Sequence, residues 1–141
     1  MRILIINGPN INMIGFREKS IYGNKNYKDI MDGIISDNKD IDIEIYQTNI
    51  EGNIIDKLQS SMDSIDGLII NPGAFTHYSY AIYDALLCME NIPKVEVHIS
   101  NIYSREEFRH KSVTAKACDG QISGFGEYGY QMAIDYIKKE L

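Results

Sequence analysis

Residues 2–10 read Arg2-Ile3-Leu4-Ile5-Ile6-Asn7-Gly8-Pro9-Asn10, an apolar run stopped by Gly-Pro between two asparagines. Four consecutive aliphatic side chains leave no polar face, which suits a strand covered on both sides, as in a parallel sheet. The design recurs at Gly67-Leu68-Ile69-Ile70-Asn71-Pro72-Gly73. Outward from these two strands, apolar runs alternate with helix-length amphipathic runs. From Tyr27 to Asp37, Ile30, Ile34 and Ile35 fall at helical spacing. Ile41, Ile43 and Ile45 alternate with Asp42, Glu44 and Tyr46, a half-exposed strand, and Gly52 to about Met62 is helical through Ile54, Ile55, Leu58 and Met62. Ser79 is the expected N-cap of a helix running to about Met89, with Ala81, Ile82, Ala85 and Leu86 on its buried face and Pro93 beyond its end. Lys94 to Ile99 is a fourth strand, Gly120 to about Phe125 a short fifth, and Tyr128 to Lys139 a last helix. Strands alternating with helices predict an α/β fold, a flavodoxin-like three-layer sandwich with a five-stranded parallel sheet of order 2-1-3-4-5, in one domain spanning 1–141.

Composition narrows the function classes. At 141 residues the chain is too short for a (β/α)8 barrel. Fourteen Lys and Arg against 20 Asp and Glu give a formal charge of −6, which argues against nucleic-acid or anionic-membrane partners. The average does not exclude a small anion, because one or two placed cations outweigh it. Cys88 and Cys118 lie in separate segments with no Cys-x-x-Cys, so zinc is not expected, and they read as reduced thiols of a cytoplasmic protein. No apolar run approaches the length of a membrane span, and no glycine-rich dinucleotide or phosphate-loop motif is present.

In open parallel sheets the ligand lies beyond the carboxyl ends of the strands, near the point where strand order reverses. Polar residues collect there: Asn7-Gly8-Pro9-Asn10, Asn71-Pro72-Gly73, and His98-Ile99-Ser100-Asn101. Asn10 and Asn71 serve equally well as turn closers. His98 suits a general acid, with Glu96 two residues back on the same strand face to hold its tautomer. The stretch from about Gly8 to Asn26 is long and aperiodic, as an active-site loop would be, and is expected to be mobile. It carries Arg17 and Tyr22; a guanidinium beside a tyrosine could lower its pKa enough to make it a base, although both also suit a solvated loop. Arg105 and Arg109, one helical turn apart, either pair with Glu106 and Glu107 or turn one side chain inward. His77 and Asp84, just before and within one helix, stand seven residues apart on the same side, although His77 also suits a loop-end hydrogen bonder and Asp84 a surface carboxylate.

These pieces, in order, resemble the type II 3-dehydroquinate dehydratases. The resemblance is carried by Ile5-Ile6-Asn7-Gly8-Pro9-Asn10, Gly15, Arg17-Glu18, Tyr22-Gly23, Gln47-Thr48-Asn49 with Glu51-Gly52, and Asn71-Pro72-Gly73-Ala74-Phe75-Thr76-His77. It continues through Asp84-Ala85-Leu86, Glu96-Val97-His98-Ile99-Ser100-Asn101, Arg105-Glu106-Glu107-Phe108-Arg109, Gly120-x-Ile122-x-Gly124-x-Gly126 and Gly129-Tyr130. It implies anti elimination of water from 3-dehydroquinate through an enolate, in the shikimate pathway leading to chorismate and the aromatic amino acids, without metal or organic cofactor. It also implies a dodecamer built from trimers. Tyr22 would be the base, Arg17 would lower its pKa, His98 would protonate the leaving hydroxyl, and Asn10 would hold a water against the enolate oxygen. Substrate would meet Asn71, Gly73, Ala74, and the backbone of Ile99 and Ser100, with ring hydroxyls on His77, Arg109 and Asp84, the last reaching from a neighbouring subunit. A flavin-binding or receiver-like module on the same fold is the alternative. Asn7 and Asn71, where a receiver needs aspartates, and Gly8-Pro9-Asn10, where a flavin phosphate loop needs hydroxyls, count against it.

Overall fold

The computed structural model describes residues 1–16 and 24–141. Five parallel strands, β1 (Arg2–Asn7), β2 (Asp42–Gln47), β3 (Gly67–Asn71), β4 (Lys94–His98) and β5 (Gly120–Ser123), form one sheet of order β2-β1-β3-β4-β5. Three helices connect successive strands, α1 (Tyr27–Asp37), α2 (Glu51–Ser61) and α3 (Tyr80–Leu87); 3-10 turns join β4 to β5, and α4 (Tyr128–Glu140) follows β5.

Alternation along the strands divides the interior into two cores. Ile3, Ile5, Ile69, Val95 and Val97 pack with Ile30 and Ile34 of α1 and with Tyr130, Ile134 and Ile137 of α4. Leu4, Ile6, Leu68 and Ile70 pack with Ile54 and Leu58 of α2 and with Ile82 and Leu86 of α3. Both faces of β1 and β3 are thus covered, which is why their sequences show no polar face. Strand β2, on the sheet edge, keeps partial exposure, as its alternation predicted.

Two local expectations need correction. Ala81 is exposed, because the Ser79 cap starts α3 in a phase that turns Ile82, Ala85 and Leu86 inward. Strand β5 ends at Ser123 rather than near Phe125: Gly124, at φ 96°, leaves extended conformation and donates its N–H to the His98 carbonyl (3.1 Å).

The register places the predicted polar residues side by side. Asn7 of β1 pairs laterally with Gln47 of β2 and with Asn71 of β3. The order reverses at β1, so the carboxyl ends of β1 and β3 diverge into the loops that bound the site. Those loops touch through their backbones. A Cβ on Gly8 would lie 2.5 Å from the Pro72 carbonyl oxygen, and Gly73, at φ 60°, would place one 2.9 Å from the Pro9 carbonyl oxygen. Only glycine permits this approach.

Candidate active site

A pocket at the carboxyl edge of β1, β3 and β4 is bordered by Asn10, Asn71, Gly73, Ala74, His77, His98, Ile99, Ser100, Arg105 and Arg109, among others. No carboxylate lines it among the described residues, although the chain carries a net −6. Arg17 and Tyr22 lie outside the described residues.

The pocket floor is built on β4. Glu96 and His98, two residues apart, point to one face, and His98 Nε2 stands 2.8 Å from Glu96 Oε2. Glu96 is fully buried. Its Oε2 also lies within hydrogen-bond reach of Thr76 Oγ1 (3.0 Å), Ser112 Oγ (2.9 Å) and Gln121 Nε2 (2.6 Å), and Oε1 accepts from Thr114 Oγ1. Burial is the largest single influence on this carboxyl and pushes its pKa up. The donors and charge of His98, with Thr114 and Gln121, outweigh it and hold the group below the ordinary carboxylate value. An anion on Nε2 keeps a proton there, so Nδ1 is the nitrogen left for the pocket. Among the described residues nothing is hydrogen-bonded to Nδ1.

His77 follows β3 in a 3-10 turn, Gly73–His77. Its Nδ1 donates to the Lys111 carbonyl (2.7 Å), and its ring meets Phe108 edge to face at 5.9 Å. Burial first, then the nearby positive charges of His98 and Arg109, lower its pKa against the opposing pull of the Lys111 carbonyl and Glu96. A neutral ring with its proton on Nδ1 offers Nε2 as an acceptor, suited to a hydroxyl.

The two arginines do not share a helix: Arg105 caps the 3-10 turn Ile102–Ser104, and Arg109 lies within the next, Glu107–His110. Arg105 Nη1 donates to Ser100 Oγ (3.3 Å). Arg109 donates from Nε to Glu106 and stacks over Phe108 with its guanidinium carbon 4.7 Å from the ring centroid. Both alternatives read from their spacing therefore hold at once for Arg109: it pairs with a glutamate and still borders the pocket. Spacing alone does not decide the direction of Arg105, and the fold brings it to the same wall.

Asn10 adopts a left-handed conformation at φ 69°, so its turn role is real, yet its side chain makes no capping bond and borders the pocket. Asn49 Oδ1 accepts its backbone N–H (3.1 Å), and Gln47 Nε2 binds the Gly8 carbonyl (3.2 Å), so β2 braces the loop after β1. Asn71 takes the Gly73 N–H on Oδ1 (3.2 Å). Asp84 is not brought to the pocket within this chain. It lies on the exposed face of α3 with Tyr80, Ala81, Leu87 and Cys88.

A neutral histidine, a histidine backed by a buried carboxylate, two guanidinium groups and two asparagine amides can together bind a small carboxylate bearing hydroxyls and protonate a leaving oxygen. Residues 1–138 match the family model described as Dehydroquinase class II. The chain belongs to the class II dehydroquinase family. Within that family it is 58% identical over 144 residues to the 3-dehydroquinate dehydratase of Clostridium perfringens, covering 100% of this chain and 98% of that one. It is 56% identical to the enzyme of the same name from Thermotoga maritima, covering 100% and 97%. Among solved structures, the type II dehydroquinase of Butyrivibrio crossotus superposes with a TM-score of 0.96 at 56% identity, covering 98% and 97% of the two chains. The type II dehydroquinase of Propionibacterium acnes gives 0.92 at 38% identity over 98% and 96%. Family membership excludes the flavin-binding and receiver-like readings.

Functional groups that the sequence reading had not singled out are Thr76, Ser112, Thr114 and Gln121 around Glu96, and Gln47 and Asn49 under the β1 loop. The Gln47-Thr48-Asn49 run belonged to the motif, but its bracing of Asn10 required the β1–β2 register.

Proposed function

We infer that this chain is a hydro-lyase that removes water from 3-dehydroquinate to give 3-dehydroshikimate, as a class II dehydroquinase of the shikimate pathway. The observation that carries the residue assignment is His98 at the pocket floor, its Nε2 held by the buried Glu96 carboxylate, with Arg105 and Arg109 on the same pocket's wall.

His98 is the acid. Its Nε2–H rests on Glu96, the imidazolium is stabilised by that buried anion, and Nδ1–H protonates the departing hydroxyl. Tyr22, activated by Arg17, removes the proton alpha to the ketone on the opposite face, and the electron pair passes through the enolate to expel the hydroxyl. Asn10 holds a water against the enolate oxygen. The substrate carboxylate meets Asn71 and the backbone at Ile99 and Ser100, near Gly73 and Ala74; ring hydroxyls meet His77 and Arg109. Asp84 completes the site from a neighbouring copy in a homododecamer of trimers, a reading supported by its position on an exposed helix face with tyrosine and leucine neighbours. The enzyme acts in the cytoplasm, a reading that rests on its two unpaired cysteines and its metabolic role.

The test is ultraviolet absorbance of the conjugated product. The chain raises absorbance on adding 3-dehydroquinate, and His98→Ala and Tyr22→Phe each abolish the rise while remaining folded by circular dichroism. Near-normal turnover by either variant overturns the assigned role.

A further inference from the structure

The pocket bond between Asn71 and the helix behind it has a polarity that bears on which end of the amide meets substrate. Asn71 is almost fully buried at the end of β3. Its Nδ2 donates to the hydroxyl of Tyr130 (3.2 Å), which in turn donates to Asn7 Oδ1 (2.6 Å). The Asn7 amide nitrogen is held in turn by the Tyr27 hydroxyl (3.2 Å), beside Met31 Sδ (3.5 Å). The chain of donors therefore runs in one direction, from Asn71 through Tyr130 to Asn7. At its other end, Asn71 Oδ1 is occupied by the Gly73 N–H (3.2 Å).

A primary amide has two N–H donors, and only one is spent on Tyr130. Asn71 lines the pocket, and with Oδ1 already taken by Gly73 its second N–H is the group left to meet a ligand. Rotating the amide by half a turn would oppose Nδ2 to the Gly73 N–H and present Oδ1 to an incoming carboxylate. It would also require the Tyr130 proton to leave Asn7, stranding a buried acceptor. Tyr130 is fully buried on α4, and burial pushes its phenol pKa well up, so it remains an O–H across the working range.

We propose that Tyr130 is a positioning residue for substrate binding: through its one-way hydrogen-bond relay with Asn7 it locks the Asn71 amide with a donor toward the anionic substrate. The proposal rests on the dehydratase reading and on Asn71 contacting substrate.

Steady-state kinetics with 3-dehydroquinate test it. Tyr130→Phe raises KM roughly 5- to 10-fold, the weight of one oriented hydrogen bond, and leaves kcat within about twofold. Tyr27→Phe is the control: it removes a bond from the same Asn7 but not from the relay, and its KM stays at the wild-type value. In an Asn71→Ala background, Tyr130→Phe changes kcat/KM no further, because the group it orients is gone. Should Tyr130→Phe fail to fold, Asn7→Leu removes the acceptor that orients the Tyr130 hydroxyl, and the same rise in KM is expected. An unmoved KM in the folded variant, an equal rise in Tyr27→Phe, or a full effect in the Asn71→Ala background overturns the proposal while leaving the dehydratase reading intact. A wild-type chain without turnover overturns both.

Discussion

Glu96 is the residue on which the electrostatics of the floor depend. A fully buried carboxylate stays ionised only because donors from four separate segments surround it: His98, the Thr76 turn, the Ser112 and Thr114 loop, and Gln121 of β5. Glu96→Gln keeps the shape but removes the carboxylate that holds His98 Nε2, and on the proposed role of His98 kcat is expected to fall roughly 100-fold, the scale of a lost acid catalyst, in the same absorbance assay. The substitution also changes acid stability, with a definite sign. The folded pKa of Glu96 lies below its ordinary 4.5, so its stabilisation is complete above that pH and is lost as pH falls through the folded value. Thermal melts between pH 7 and 3.5 should therefore show a steeper loss at the acid end for the wild type than for Glu96→Gln. The pairing of Glu96 with His98 was legible in the sequence, because a period of two puts both on one strand face. The hydroxyls were not, because serine and threonine carry no spacing signal and are gathered from residues 16 to 20 positions away.

At the scale of elements, the site depends on how closely the β1 and β3 loops approach. Gly8→Ala forces a Cβ against the Pro72 carbonyl, an atom that cannot swing aside, and should cost about 1–3 kcal/mol as overpacking does. Gly33→Ala in α1 meets nothing within 4 Å and should gain about 0.5–1 kcal/mol from helix propensity. Urea unfolding of both variants checks the opposite signs, read as shifts in midpoint at constant slope. Equal shifts would mean that the loop contact does not constrain the fold. The strands and helices themselves were legible because their apolar residues follow the two periods of the backbone. Ala81 and the end of β5 were not. A small apolar residue is tolerated on either face of a helix, and the turn at Gly124 depends on a hydrogen bond to His98 across the sheet.

For the whole molecule, net charge and local charge point in opposite directions. The chain as a whole is acidic, whereas Arg105 and Arg109 stand on the wall of a pocket that no carboxylate lines among the described residues. Asp84 is exposed on α3, and the proposal that it completes a neighbour's site predicts that activity depends on assembly. Light scattering should report twelve times the monomer mass. Mixing two impaired variants, Asp84→Ala and His98→Ala, under conditions that exchange subunits should restore turnover above either parent, because some sites then combine an intact His98 with a neighbour's Asp84. No restoration after verified exchange would place Asp84 outside the site. The sequence by itself determined the strand order, the two-sided cores and the family, since these follow from periodicity and from motifs kept in order along the chain. Only the tertiary structure decided that Arg105 joins Arg109 at one wall, that Asn71 donates to Tyr130 while accepting from Gly73, and that Glu96 survives burial as an anion. Each depends on hydrogen bonds between segments far apart in the chain, whose partners and directions are chosen only when the sheet register brings them together.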